Sequence, residues 1–122
     1  MITLKGAIDA AEALYTGHGI PHEILAGWIS DVDGYVASVI RGIPTPEEYS
    51  YTEDGDVPLL VQQRPWRRVY SLYLSAMIDF SLKHFGDYTV EMSEYERIMR
   101  DYLHHCLTEA DRAGQHREEA GA

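Results

Sequence analysis

The chain has 122 residues, 45% hydrophobic and 25% charged, which suits one domain with its own core and leaves little room for a second. Twenty acids against ten Lys and Arg give a net charge of −10, the wrong sign for a sequence-independent nucleic-acid binder. The single cysteine, Cys106, excludes an internal disulfide and argues against a cysteine-based zinc site. The uncharged run Val69–Ile78 is ten residues, too short to span a bilayer, and the first residues show no secretion signal. The expectation is a soluble, intracellular protein without a membrane segment.

Thr3 is placed to cap a first helix whose stripe is Leu4, Ala7, Ile8, Ala11, Leu14 and Tyr15. Gly17 and Gly19 end it. Pro21 suits the first position of a second helix, with Glu23 near the positive end of its dipole. The second stripe is Leu25, Trp28 or Ile29, Val32, Val36, Val39 and Ile40, stopped by Gly42 and Pro44. Gly27 and Gly34 weaken this helix, which implies close packing there.

Residues 42–64 form a connector in which Pro44, Pro46, Gly55 and Pro58 forbid a long helix. The alternation over 48–52 fits a short strand, followed by an acidic turn at 53–56. A connector of this length is often functional. Pro65 opens a third helix, apolar on nearly every side and therefore central, which Gly86-Asp87 breaks. The fourth carries Tyr88, Met92, Tyr95, Met99, Tyr102 and Cys106 at spacings of four and three, starting from Asp87 or from a Ser93/Glu96 capping box. Residues 112–122 lack large apolar side chains and read as a loose tail. The fold expected is all-α: a four-helix, bundle-like domain over 1–111 with a long connector between helices two and three, and a C-terminal tail over 112–122.

Little catalytic chemistry is visible. Asp31 and Asp33 are two apart on a helix and diverge. Asp79 lies inside the most apolar helix. It is either a general acid with a raised pKa or, far more commonly, a carboxylate paired to an arginine or capping a neighbouring helix. His104 and His105 diverge by about 100° on a helix, and His18 and His22 flank a turn, so surface histidines are expected rather than a metal site. Cys106 reads as a small core residue. Phosphate-binding glycine loops and nucleophile-elbow motifs are absent. The chain is expected not to be an enzyme and to need no metal or cofactor.

The charge is uneven. Between Pro21 and Gln63 there are eight acids and one base, Arg41, whereas Arg64, Arg67 and Arg68 follow with no acid among them. An acidic face of this kind serves solubility or repels another anion.

One ordered set of motifs is more specific. Trp28-Ile29-Ser30-Asp31-Val32-Asp33-Gly34 is followed by Tyr51-Thr52-Glu53-Asp54-Gly55-Asp56-Val57-Pro58-Leu59-Leu60-Val61. Pro65 comes next, then Tyr70, Tyr73, Leu74, Met77 and Asp79, and then Tyr88 and Tyr95. In order and spacing this resembles the head–tail connector (adaptor, or head-completion) proteins of tailed phages and prophages, over residues 4 to about 107. It departs from them at Glu94-Tyr95-Glu96-Arg97 and in its acidic tail. The family-motif residues are Trp28, Leu59, Leu60, Pro65, Tyr70, Tyr73, Leu74, Met77, Asp79 and Tyr95.

The resemblance implies a structural virion protein. It would form a homo-oligomeric, dodecameric ring beneath the portal protein at the head–tail interface, after assembly in the host cytoplasm. It would extend the DNA channel and present a surface to the next connector or tail-completion protein, and DNA would pass through without specific binding. On that reading Glu47, Glu48, Glu53, Asp54 and Asp56 are candidates to line the channel. Tyr49, Tyr51, Arg64, Arg67, Arg68, Arg112 and Arg117 are candidates to contact neighbouring subunits or the portal. For Tyr49 and Tyr51, anchoring the connector onto its own bundle is an equal alternative. A second reading, from a different class, is a small acidic phage-encoded regulator that mimics DNA, against which the three arginines count.

Overall fold

The computed structural model describes the backbone of residues 1–121 and the side chains of residues 1–113. It is all-α. Helix α1 spans Leu4–Leu14, α2 His22–Tyr35, α3 Val69–Ser81 and α4 Phe85–Gly121, and a long connector joins α2 to α3. Helix α3 is central and packs against α1, α2 and α4. Its Val69, Tyr70, Leu74 and Ile78 are buried. They meet Leu4, Ile8 and Ala11 of α1, Leu25, Ile29 and Val32 of α2, and Ile98, Met99 and Tyr102 of α4 in one core. Among the described residues no helix is long and apolar enough to cross a membrane.

The connector caps α1. The first amides of a helix have no partner inside it. Here Leu4 N–H donates to Val57 O at 3.0 Å and Lys5 N–H to Gly55 O at 2.9 Å. Gly6 N–H is met by Thr3 Oγ1 at 3.1 Å, as the sequence predicts. Leu59 N–H returns to Ile2 O at 3.0 Å, and Thr3 and Pro58 form an isolated antiparallel bridge.

Several expectations need correction. Residues 48–52 form no strand. Ser50 and Asp54 instead close a turn, Ser50 N–H donating to Asp54 Oδ2 and Asp54 N–H to Ser50 O, both at 2.8 Å. A carboxylate that binds its own backbone outcompetes strand pairing. Beyond Tyr35, residues Val36–Ile40 wind as a π-helical turn closed by Arg41 N–H on Val36 O. The wider turn rotates Val39 off the stripe, and it is 55% exposed.

Pro65 does not start α3 directly. It follows a cis peptide from Arg64 and precedes a 3₁₀ turn, Trp66–Arg68, before α3 begins at Val69. Helix α3 ends at Ser81 rather than at Gly86, because Lys83 adopts a left-handed conformation with φ 66°. Gly86 falls inside α4, and Asp87 lies in that helix's first turn.

Residue 112 is no backbone boundary either, since α4 continues to Gly121. Eight of residues 112–122 are Ala, Arg, Glu or Gln, against two Gly, and extending an existing helix carries no nucleation cost. Among the described residues, the partly buried ones that pack against the core reach as far as Cys106, the last position of the heptad-like seam. Deleting residues 112–122 is therefore expected to change unfolding stability by no more than about 0.5 kcal/mol in urea titrations. A loss of several kcal/mol would show that the segment belongs to the folded core.

Candidate functional site

The connector is held rigidly. Its start lies along one face of α2, where Gly27 and Gly34 make room. A Cβ at Gly27 would stand 3.0 Å from Glu48 Oε1, and one at Gly34 3.4 Å from Thr45 Cγ2. Between them Ser30 Oγ accepts Tyr49 N–H at 2.8 Å. The expected close packing at these glycines is thus packing by the connector.

Further in, Asp33 is fully buried and gathers the connector around it. Its Oδ2 accepts from Tyr49 Oη at 2.7 Å and from Leu60 N–H at 3.2 Å, while its Oδ1 accepts from Tyr70 Oη at 2.5 Å. Tyr70 Oη also accepts Val61 N–H at 2.8 Å. Burial pushes the Asp33 carboxyl above the ordinary Asp range against the pull of the two hydroxyls, the Leu60 amide and Arg41. Burial and the neighbouring carboxylate push both phenols well above their usual values. Arg41 closes the outer side, donating to Leu60 O at 2.6 Å and Tyr102 Oη at 2.9 Å.

Tyr49 is therefore a buried anchor and not an exposed contact, which corrects its assignment to a subunit interface. Tyr51 is half-buried, with its ring 4.4 Å from that of His22. Of the motif residues, Leu59, Tyr70, Leu74 and Asp79 are buried. Trp28, Leu60, Tyr73, Met77 and Tyr95 are half-buried, and Pro65 is exposed. Tyr73 and Tyr95 join α3 to α4 with ring centroids 5.1 Å apart.

On this fixed connector Glu47, Glu48, Glu53 and Asp56 are exposed, and none forms an ion pair among the described residues. Asp54 differs, because its carboxylate is spent on the turn. The arginines lie elsewhere. Arg64, Arg67 and Arg68 share one recess with Pro65, and Arg67 and Arg68 also border a groove against Thr3, Gly6 and Ala10 of the α1 region. No ion pair among the described residues involves them. The acidic turn meets α1 at Lys5, whereas the arginines meet it at Gly6 and Ala10. Gly6 and Ala10 lie about 100° and 140° round the helix from Lys5, so the acidic turn and the arginines meet α1 on different faces. Arg112 is exposed, 3.4 Å from Glu109, and the side chain of Arg117 lies outside the described residues.

Asp79 is buried and has no arginine partner among the described residues. Its Oδ2 accepts from Tyr15 Oη at 3.0 Å and its Oδ1 stands 3.2 Å from His84 Nδ1. A second acid is close, since Tyr15 Oη is also 3.4 Å from Glu91 Oε2. Burial and Asp79 push the Glu91 carboxyl up to about 8. For Asp79, burial acts upward, but bonds from Glu91, His84 and Tyr15 outweigh it and hold that carboxyl below the usual range.

The other histidines divide. His18 is a buried side chain, contrary to expectation, with Nδ1 accepting Ile20 N–H at 2.8 Å and Nε2 2.9 Å from Glu12 Oε2. His105 stacks on Trp66 at 4.1 Å and His104 is exposed. The chain matches no protein-family model, no curated protein and no solved structure.

Proposed function

We propose that the protein is a structural subunit of a tailed-phage or prophage virion. In this reading it forms a ring beneath the portal, links capsid to tail and lengthens the DNA channel. The order of its sequence motifs suggests the role. The observation that carries it is the charge separation. The pinned connector presents exposed acids along α2 at Glu48 and in the turn beside Lys5 of α1, and the arginines lie apart from them, beside Gly6 and Ala10; none of these groups forms an ion pair among the described residues.

A ring subunit needs two kinds of surface. One must pass DNA without binding it, and acids repel phosphate over about 8 Å at physiological salt. The other must grip a neighbouring subunit or the portal, and exposed arginines suit that task. Glu47, Glu48, Glu53 and Asp56 would face the channel, and Arg64, Arg67 and Arg68 would face a protein. The rigidity of the connector serves this arrangement, because a floppy acidic loop would not hold its charges at a channel wall.

The test is to mix the purified protein with the portal ring of the phage or prophage that carries it and to view the mixture by electron microscopy. The expected result is an added ring of density, coaxial with the portal. Failure to add density at any protein excess would remove the proposal. Tight binding to a DNA-processing enzyme in place of the portal would favour the DNA-mimic reading.

A further inference from the structure

The turn between α3 and α4 gathers metal-binding side chains. Asp79 comes from the last turns of α3. His84 lies just before α4 and Asp87 in that helix's first turn, so the α3–α4 turn brings the three side chains together. The turn is fixed by Lys83 in its left-handed conformation and by His84 N–H on Asp79 O at 2.8 Å.

One donor atom each from Asp79, His84 and Asp87 lies within 4.8 Å of the others, and His84 Nδ1 to Asp79 Oδ1 is 3.2 Å. Neighbouring ligands around an ion with bonds of about 2.1 Å stand roughly 3.0–3.4 Å apart, and opposite ligands about 4.2 Å. The 3.2 Å between His84 Nδ1 and Asp79 Oδ1 falls in the range for neighbouring ligands, and Asp87, within 4.8 Å of both, is close enough for its exposed carboxylate to reach the same ion by a small rotation. The set also lacks a fixed positive partner. His84, 55% exposed, is the one ion-pair partner of Asp79 among the described residues, and no Lys or Arg pairs with these carboxylates.

We propose that Asp79, His84 and Asp87 bind a divalent first-row transition cation of the manganese or zinc class. The imidazole nitrogen selects against magnesium and calcium, which take oxygen ligands. With His84 coordinating through Nδ1, its exposed Nε2 keeps the proton, and water completes the shell on the open side. Tyr15 Oη, bonded to Asp79 Oδ2, would orient that carboxylate from the end of α1. The ion would tie the α3–α4 turn to α1 and stabilise the native state by mass action.

The experiment uses the full chain stripped with EDTA and then titrated with Mn²⁺ or Zn²⁺ by calorimetry and thermal melting. One saturable site and a raised melting temperature are expected. His84→Ala and Asp87→Asn alter exposed side chains, so both should fold by circular dichroism yet bind at least about tenfold more weakly. The proposal is overturned by any of three results: no saturable site below about 1 mM, equal binding in both variants, or Mg²⁺ binding as tightly as Zn²⁺.

Discussion

Asp33→Ala is expected to lower unfolding stability by about 3–5 kcal/mol, a large part of a small domain's total. The carboxylate is fully buried and three donors converge on it, from Tyr49, Tyr70 and the Leu60 amide. Removing the acceptor strands the two buried phenol hydroxyls and the half-buried Leu60 amide, and each group stranded away from water costs about 1–3 kcal/mol. Tyr70→Phe should cost less, about 1–3 kcal/mol, since it orphans chiefly the Val61 amide that Tyr70 Oη accepts. The two changes should be non-additive in a double-mutant cycle, because they empty the same network. Limited proteolysis should then cut Asp33→Ala within residues 47–56, where the parent chain resists. If urea titration finds Asp33→Ala within about 1 kcal/mol of the parent, the buried knot does not hold the connector.

The second large effect is expected in assembly. Reversing Arg64, Arg67 and Arg68 to Glu should weaken docking to the portal about 10- to 100-fold, as removal of several interfacial charges generally does, with the fold intact. Their exposure, or half-exposure for Arg67, makes the substitutions tolerable to the monomer. Changing Glu47, Glu48, Glu53 and Asp56 to Lys should act differently. Rings should still form, but they should now retain DNA, with affinity that falls steeply as salt rises through counterion release. Asp54 is left untouched because its side chain closes the turn. Docking unaffected by the arginine reversal would remove those residues from the interface. Rings with Lys at the four acidic positions that still ignore DNA would place the acids away from the channel.

Much of the helical architecture was legible because burial leaves a periodic trace. Leu4, Ile8 and Ala11, then Leu25, Ile29, Val32 and Val36, then Met99 and Tyr102, fall where spacing puts them. The errors arose where a local rule had no local signal. Glycine marks most helix stops, yet here the left-handed residue is Lys83, so α3 ends before the glycine that seemed to end it. A third helix running to Gly86 puts Asp79 and His84 five residues apart on one helix, about 140° apart round its axis, so their contact does not show, and Glu91 falls beyond the break. Asp33 could have been found. It lies four residues after Ile29 and three before Val36, on the apolar stripe, and only its polarity disguised it. Its partners could not, because Tyr49 and Tyr70 are 16 and 37 residues away. The connector's buried tyrosine looked exposed for the same reason: what covers it comes from other elements.

The manner in which α1 is capped also sets an order of events during synthesis. The amides of Leu4 and Lys5 find their partners only in Val57 and Gly55, some fifty residues later in the chain. A nascent chain that has reached only the end of α2 carries a first helix with an unfinished end. An isolated helix of 11 residues is marginal in water. Closing a loop of that length must precede the capping bonds, which places them late among the folding steps. Helix α1, made before α2, α3 and α4, is thus among the last of the four to be secured.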